Sequence, residues 1–225
     1  MGKEAAIEAS IPADNLKIIQ QLNHFAVENI KDARRFLVRC NLKFKIDESE
    51  FFELNKDSGH QEISQLISIL NKGNSIGIIS DAGCPGIADP GAKLVEAAHI
   101  NNIEVIPLVG PSSILLALIA SGFNGQSFAF HGYLPRSEEE RAKRLLQMEN
   151  SSRKEHQTQI FMETPYRNEV LFEDVLKHLS SKTQIGVAAD LTLPSQYIKS
   201  QTIEKWKKET RPSLHKRPAI FLLLA

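Results

Sequence analysis

Apolar positions fall into two alternating patterns along the chain, short continuous runs and longer stretches at helical spacing, which predicts strands interleaved with helices. Leu16, Ile19 and Leu22 suit a first helix, Phe25 to Val27 a short buried strand, and Ala33, Phe36 and Leu37 the next helix. Ile63, Leu66, Ile67 and Leu70 line one helical face, and Asn71-Lys72-Gly73 stops it. Ser75 to Ile79 is β-branched and too short for a helix, so it reads as a strand. It runs into Asp81-Ala82-Gly83-Cys84-Pro85-Gly86-Ile87-Ala88-Asp89-Pro90-Gly91, a loop by composition, and a helix to about Asn102 follows. Glu104 to Leu108 reads as strand, Gly110-Pro111-Ser112-Ser113 as turn, and Ile114 to Ser121 as an apolar helix. Strand, glycine loop and helix in repetition predict an α/β fold with a mostly parallel sheet.

Phe128 to Leu134 closes what reads as an N-terminal domain, residues 1–134, and Pro135 opens a C-terminal one, residues 135–225. Between Arg136 and His156 the chain is polar and charged, with Leu145, Leu146 and Met148 as its apolar anchors, which predicts a mobile helix at a domain junction. Gln159 to Met162 then reads as strand, Asn168 to Leu179 as helix, Gln184 to Ala189 as strand, and Ala219 to Leu224 as a final strand.

With 225 residues, 42% apolar and 24% charged, the chain is long and apolar enough for a buried core. Its longest apolar runs, Ile114 to Ala120 and Ala219 to Ala225, fall far short of the roughly 20 residues that span a bilayer. With no basic-then-apolar start, a cytoplasmic protein without membrane association is expected. Cys40 and Cys84 form no C-x-x-C, and the seven histidines show no ligand spacing, so no metal site is expected. Basic and acidic residues balance at 27 each, which by itself disfavours a polyanion partner. Position changes that reading. Lys31 to Lys45 carries six basic residues against Asp32, a net of +5, and Lys199 to Arg217 carries seven against Glu204 and Glu209, again +5. Asp47 to Glu62 carries six acids against Lys56, a net of −5. Such runs are either solvated helix faces or contacts for phosphates.

Ligands of open α/β sheets bind at the carboxyl ends of strands, which singles out the loops after Ile79, Leu108 and Phe161. The first has three glycines and two prolines in eleven residues, and reads equally as a structural turn or as a loop that offers its amides to a small molecule. Gly110-Pro111-Ser112-Ser113 precedes a helix whose first amides suit a carboxylate or phosphate, or serve only as a capped end. Glu163, Tyr166 and Arg167 stand at a strand-to-helix turn, where Arg and Glu could simply pair. There is no G-x-S-x-G elbow, so serine-nucleophile chemistry loses support together with metal hydrolysis.

Taken in order, Ser80-Asp81-Ala82-Gly83-Cys84-Pro85 through Asp89-Pro90-Gly91, Gly110-Pro111-Ser112-Ser113, His131-Gly132-Tyr133-Leu134-Pro135 and Glu163-Thr164-Pro165-Tyr166-Arg167 resemble the tetrapyrrole (corrin/porphyrin) methylase superfamily. Within it the chain looks most like the ribosomal RNA small-subunit methyltransferase I branch, which 2′-O-methylates a cytidine ribose. The resemblance runs from about Leu16 to Ala225. It implies an S-adenosylmethionine-dependent methyltransferase of two α/β domains, each a mixed sheet flanked by helices, with the cofactor in the cleft between them and usually a homodimer. Carried over by motif, it implies cofactor contacts at Asp81, Ala82, Gly83, Pro85, Ile87, Ser112, Ser113, Met162, Leu191, Thr192 and, through the main chain, Ala219.

The resemblance and the basic blocks together lead us to expect RNA against Arg34, Arg35, Glu163 and Arg167, with phosphate contacts at Arg39, Lys43, Lys45 and the Lys205 to Arg217 block as well. The alternatives within the class are a tetrapyrrole or another small-molecule acceptor; outside it, a cofactor-binding homologue without catalysis. No catalytic base is assigned; Asp81, Glu163 and Glu28 are the candidates. Three departures stand out. The family opens with an apolar strand that is apparently missing here, where the chain begins Met1-Gly2-Lys3-Glu4-Ala5-Ala6, so a truncated start is expected. The branch's Glu-Asp-Thr-Arg signature reads Glu28-Asn29-Ile30-Lys31. A C-terminal helical region found in many ribosomal members does not follow Ala225.

Overall fold

Phe25, Ala26 and Val27 are buried almost completely because their strand has neighbours on both sides and helices over both faces. The computed structural model describes residues 7–40, 46–55, 57–81 and 83–225, and the chain separates into two units, one within residues 4–112 and one over 113–225. In the first, α1 (Ala13–Ile19), β1 (His24–Val27), α2 (Ile30–Arg39), β2 (Glu50–Glu53), α3 (His60–Asn71), β3 (Ile76–Ile79) and α4 (Gly91–Ile100) follow one another. Asn29 starts α2, its side chain accepting the Asp32 amide at 3.1 Å. The sheet order is β2-β1-β3, with both pairings parallel, Phe25 lying opposite Phe51 and Gly77. All three strands therefore send their carboxyl ends, Glu28, Leu54 and Ser80 onward, to one edge.

The second unit comprises α5 (Ser113–Ser121), β4 (Phe128–Tyr133), α6 (Glu138–Glu155), β5 (Thr158–Met162), α7 (Asn168–His178), β6 (Gln184–Ala189), β7 (Tyr197–Thr202), α8 (Ile203–Lys208) and β8 (Ala219–Leu224). Its sheet order is β4-β5-β8-β6-β7; β4 and β5 are parallel, and β8 runs antiparallel to both β5 and β6. Trp206, fully buried on α8, donates its indole N–H to the Ile185 carbonyl at 2.9 Å and meets Phe172 edge-on, while Phe161 stacks on Phe221. A polar atom is thus satisfied inside an otherwise apolar core.

Several expectations change. Among the described residues the first sheet is parallel rather than mixed, and the second is mixed. The units meet at Ser112/Ser113 instead of at residues 134/135, because β4 pairs with β5 and α5 packs on β6, β7 and β8. Glu104 to Leu108 joins no ladder: a strand exists only through its partner, and among the described residues β3 pairs with β1 alone. β2 and β7 escaped the hydrophobic reading, since Glu50-Phe51-Phe52-Glu53 and Tyr197-Ile198-Lys199-Ser200-Gln201-Thr202 are short and largely polar. The first six residues, on which the expected truncation turns, lie outside the described residues.

The charged stretch from Arg136 forms the expected helix, α6, but within the second unit rather than at a junction, and it buries Arg141, Leu145, Met148, Glu149 and Ser152. Arg141 bonds the Asp174 carboxylate through Nε at 2.6 Å and donates Nη1 to the carbonyls of Pro135 and Arg136 at 3.0 and 2.8 Å. Glu149 accepts the Ser180 amide at 2.9 Å and the Thr183 hydroxyl. These polar anchors, placed at helical spacing, do what apolar residues do elsewhere. Among the described residues no helix is long and apolar enough to cross a membrane.

Candidate functional site

At the carboxyl edge of the parallel sheet the loop after β3 is held by two carboxyl groups. Asp89 Oδ1 accepts the amides of Gly86 and Gly91 at 3.0 and 2.7 Å, folding the loop back on itself. Glu28, just after β1, accepts the Ser80 hydroxyl at 3.0 Å and the Asp81 amide at 2.9 Å through one oxygen. Asp89 Oδ2 is buried without a hydrogen-bond partner. Burial, with Asp89 adding to it, raises the Glu28 pKa above the ordinary value. Asp81 is exposed, and its pKa is raised by partial burial and by the charges of Asp32 and Asp89.

Gly83 and Gly86 take left-handed backbone, φ +85° and +80°, which only glycine adopts without cost. Ile87 lies nearly half exposed beside them and Pro85 is exposed. Cys84 Sγ contacts the Pro111 carbonyl at 3.5 Å, so the loop and the Gly110-Pro111-Ser112 turn, predicted separately, lie together. Ala82 lies outside the described residues.

In the second unit the carboxyl ends of β5 and β6 and the start of β8 share one edge, with Met162 opposite Ile220 and Ala189 opposite Ala219. Met162 and Leu191 both pack with Ile220 in one apolar cluster that also includes Ala117 and Leu118 of α5. The Asp190 to Thr192 turn is strained: both residues have left-handed backbone, at φ +51° and +69°, costly for a β-branched threonine. Arg217 holds it in place, with Nε on Asp190 Oδ2 at 2.8 Å and Nη2 on the Ser195 carbonyl at 2.6 Å. Glu163 is buried, accepts the Thr164 amide at 2.7 Å and lies 3.2 Å from Arg167. Glu138, Asp174 and His178 bring three possible ligand atoms within 4.8 Å of one another. Lys177 and Arg141 already neutralise the first two, which leaves that group unsuited to a cation.

No family model matches the chain. Individual relatives do. The ribosomal RNA small subunit methyltransferase I of Buchnera aphidicola (Acyrthosiphon pisum) is 31% identical over 199 residues, 87% of this chain and 67% of its own length. The protein of the same name from Thermotoga maritima is 32% identical over 190 residues, 84% of this chain and 81% of its own length. The chain belongs to the ribosomal RNA small subunit methyltransferase I family. Solved structures agree on the fold: diphthine synthase matches with a TM-score of 0.65 at 14% identity, over 96% of this chain and 84% of that one. The methyltransferase CobJ matches at 0.63 and 16%, over 96% and 89%. The chain is thus a tetrapyrrole-methylase-fold member of a methyltransferase family.

In this family member the predicted cofactor residues gather into two groups, Asp81, Gly83, Pro85, Ile87 and Ser112 in the first unit, and Met162, Leu191, Thr192 and Ala219 in the second, where Ser113 opens α5. The predicted RNA residues are divided between the two units. Arg34 lies over Phe51 and pairs with Asp47 at 3.2 Å, Arg35 pairs with Asp32 at 3.1 Å, and Glu163 and Arg167 are in the other unit. Lys43 and Lys45 fall outside the described residues. The sequence reading gave Asp89 no role of its own; an Asp two residues before Gly91 and three after Gly86 is the Asx-turn signal that points to it.

Because the Glu28 pKa is raised on folding, its favourable contribution is complete below the ordinary glutamate value and is lost as pH rises through the folded one. Wild-type stability should therefore decline as pH rises above the ordinary glutamate value, and Glu28→Gln, which cannot ionise, should flatten that decline. Urea midpoints at a series of pH values check it; parallel pH profiles for the two proteins would contradict the raised Glu28 pKa.

Proposed function

We propose that this protein transfers a methyl group from S-adenosylmethionine to the 2′-oxygen of a ribose in small-subunit ribosomal RNA. Its likeness to ribosomal RNA small subunit methyltransferase I over 87% of the chain carries the reading. The local chemistry fits the cofactor. The exposed glycine loop after β3 and the Ser112-Ser113 turn suit the carboxylate and ribose end, and the strained Leu191-Thr192 turn with the Ala219 main chain suits a neutral adenine. When bound, the sulfonium supplies an electrophilic methyl carbon that an oxygen attacks in line as the carbon–sulfur bond breaks.

The chain's own task is then alignment, worth about 7–11 kcal/mol in well-oriented reactions, and removal of the hydroxyl proton. Of the three carboxyl candidates, Glu163 is buried against Arg167, and Glu28 is tied to the Ser80 hydroxyl and the Asp81 amide. Asp81 is exposed and has a raised proton affinity, which suits a proton acceptor. We assign that role to Asp81 in addition to its expected cofactor contact. The same reading carries a cytoplasmic homodimer and basic contacts with the RNA backbone through Arg34, Arg35 and Arg167.

Calorimetry with S-adenosylmethionine and tritiated methyl transfer into isolated small ribosomal subunits, run beside a tetrapyrrole panel, test the reading. Cofactor binding with label in ribosomal RNA supports it; binding with label only in a tetrapyrrole replaces the acceptor, and no cofactor binding removes the enzyme.

A further inference from the structure

We propose that Tyr166, with Lys216, His215, Arg136 and Arg167 around it, is a stacking platform for one unpaired base of an RNA strand, flanked by cations for the neighbouring phosphates. The proposal rests on the RNA reading above and adds to its backbone contacts a base-stacking role for Tyr166, which that reading does not assign. Tyr166 is 68% exposed on the turn between β5 and α7 and belongs to none of the hydrophobic clusters. It is nevertheless built upon. The Lys216 ammonium lies 5.9 Å from the ring centroid, and the His215 ring meets it at 80° with centroids 6.0 Å apart.

The segment carrying those two residues is held firmly. Glu169 Oε1 accepts the amides of Leu214 and His215 at 3.3 and 3.2 Å, and the Lys216 amide donates to the Pro165 carbonyl at 2.9 Å. Arg217 Nη1 donates to the Ser213 carbonyl at 3.1 Å. Lys216 itself has left-handed backbone, φ +60°, a conformation a lysine keeps only where its surroundings impose it. Core packing does not explain why an exposed tyrosine should have a strained lysine fixed over it.

Charge decides the occupant. Arg136 and Lys216 are exposed and make no ion pair among the described residues. The Arg136 carbonyl lies 3.5 Å from Arg167 Nη2, which joins it to the same surface. The nearest acids are already engaged, Glu163 with Arg167 and Glu169 with the loop amides. An exposed aromatic face with an unpaired lysine beside it and a second exposed cation, Arg136, close by through its backbone matches the recognition of unpaired nucleic acid, in which bases stack and phosphates pair with Lys and Arg. A duplex hides its base faces and gains only the phosphate contacts.

Fluorescence anisotropy of the full chain with a labelled, unpaired oligoribonucleotide, at several salt concentrations, tests this beside a duplex of the same composition. Tyr166→Phe should bind like the parent, and Tyr166→Ala should weaken single-strand binding about tenfold with an unchanged salt slope. Lys216→Ala should lower the slope by about 0.7, the value for one phosphate of a single strand. Thermal unfolding of each variant confirms that it is folded. If the parent binds the strand and Tyr166→Ala binds it equally well, or if Phe is as damaging as Ala, the platform is wrong and the methyltransferase reading stands. If the parent binds no RNA, the RNA reading itself fails, and the platform with it.

Discussion

Asp81→Asn is expected to lower the rate of methyl transfer at saturating cofactor by about 10²–10⁴-fold, the usual contribution of a positioned proton acceptor. Asparagine keeps the shape of the side chain and leaves the Asp81 amide free to donate to Glu28, so the loop after β3 should hold its conformation. What disappears is a carboxylate whose proton affinity is raised by partial burial and by the neighbouring charges of Asp32 and Asp89. The ascending limb of the wild-type pH–rate profile should therefore sit above the ordinary aspartate value of about 3.9, and the variant should lose it. Single-turnover kinetics with tritiated cofactor, read together with a calorimetric Kd, separate the roles. A rate held at saturation with a weakened Kd would make Asp81 a cofactor ligand alone.

The largest stability change is expected at Arg141. Both members of its pair with Asp174 are buried, and Arg141→Ala leaves a carboxylate inside the protein without its cation, at a cost of about 3–5 kcal/mol. The carbonyls of Pro135 and Arg136 lose their donor in the same change, which loosens the start of α6 beside the Tyr166 surface. Urea unfolding gives the size of the loss. A double replacement, Arg141→Met with Asp174→Leu, should recover much of it, because burying neither charge is cheaper than burying one. A double variant as unstable as Arg141→Ala would show that the hydrogen bonds to the two carbonyls, and not the unpaired charge, dominate.

Both residues were visible in the sequence, but not equally readable. Asp81 stands directly after an apolar strand at the head of a glycine loop, and the position of ligand sites at strand ends is enough to single it out. Arg141 lies in a run so charged that exposure and mobility were the natural expectation. Nothing local shows that an arginine in the first turns of one helix faces an aspartate on another helix. β2 and β7 were overlooked for a related reason: their polar residues are tolerated because one lies at the edge of its sheet beside β1 and the other beside β6. Glu104 to Leu108 failed in the opposite direction, with strand composition but no partner.

The sequence by itself determined the α/β alternation, the order of the four motifs, and through them the family, because these depend on local periodicity and on glycine and proline placed where the backbone must turn. Only the tertiary structure decided which charges are spent and which remain available. Arg141 and Arg217 are committed to buried carboxylates, while Arg136 and Lys216 are left on the surface, Lys216 beside Tyr166. A formal charge of zero is a property of the list of residues, whereas pairing depends on distance, and distances between residues far apart in the chain are set only when it folds.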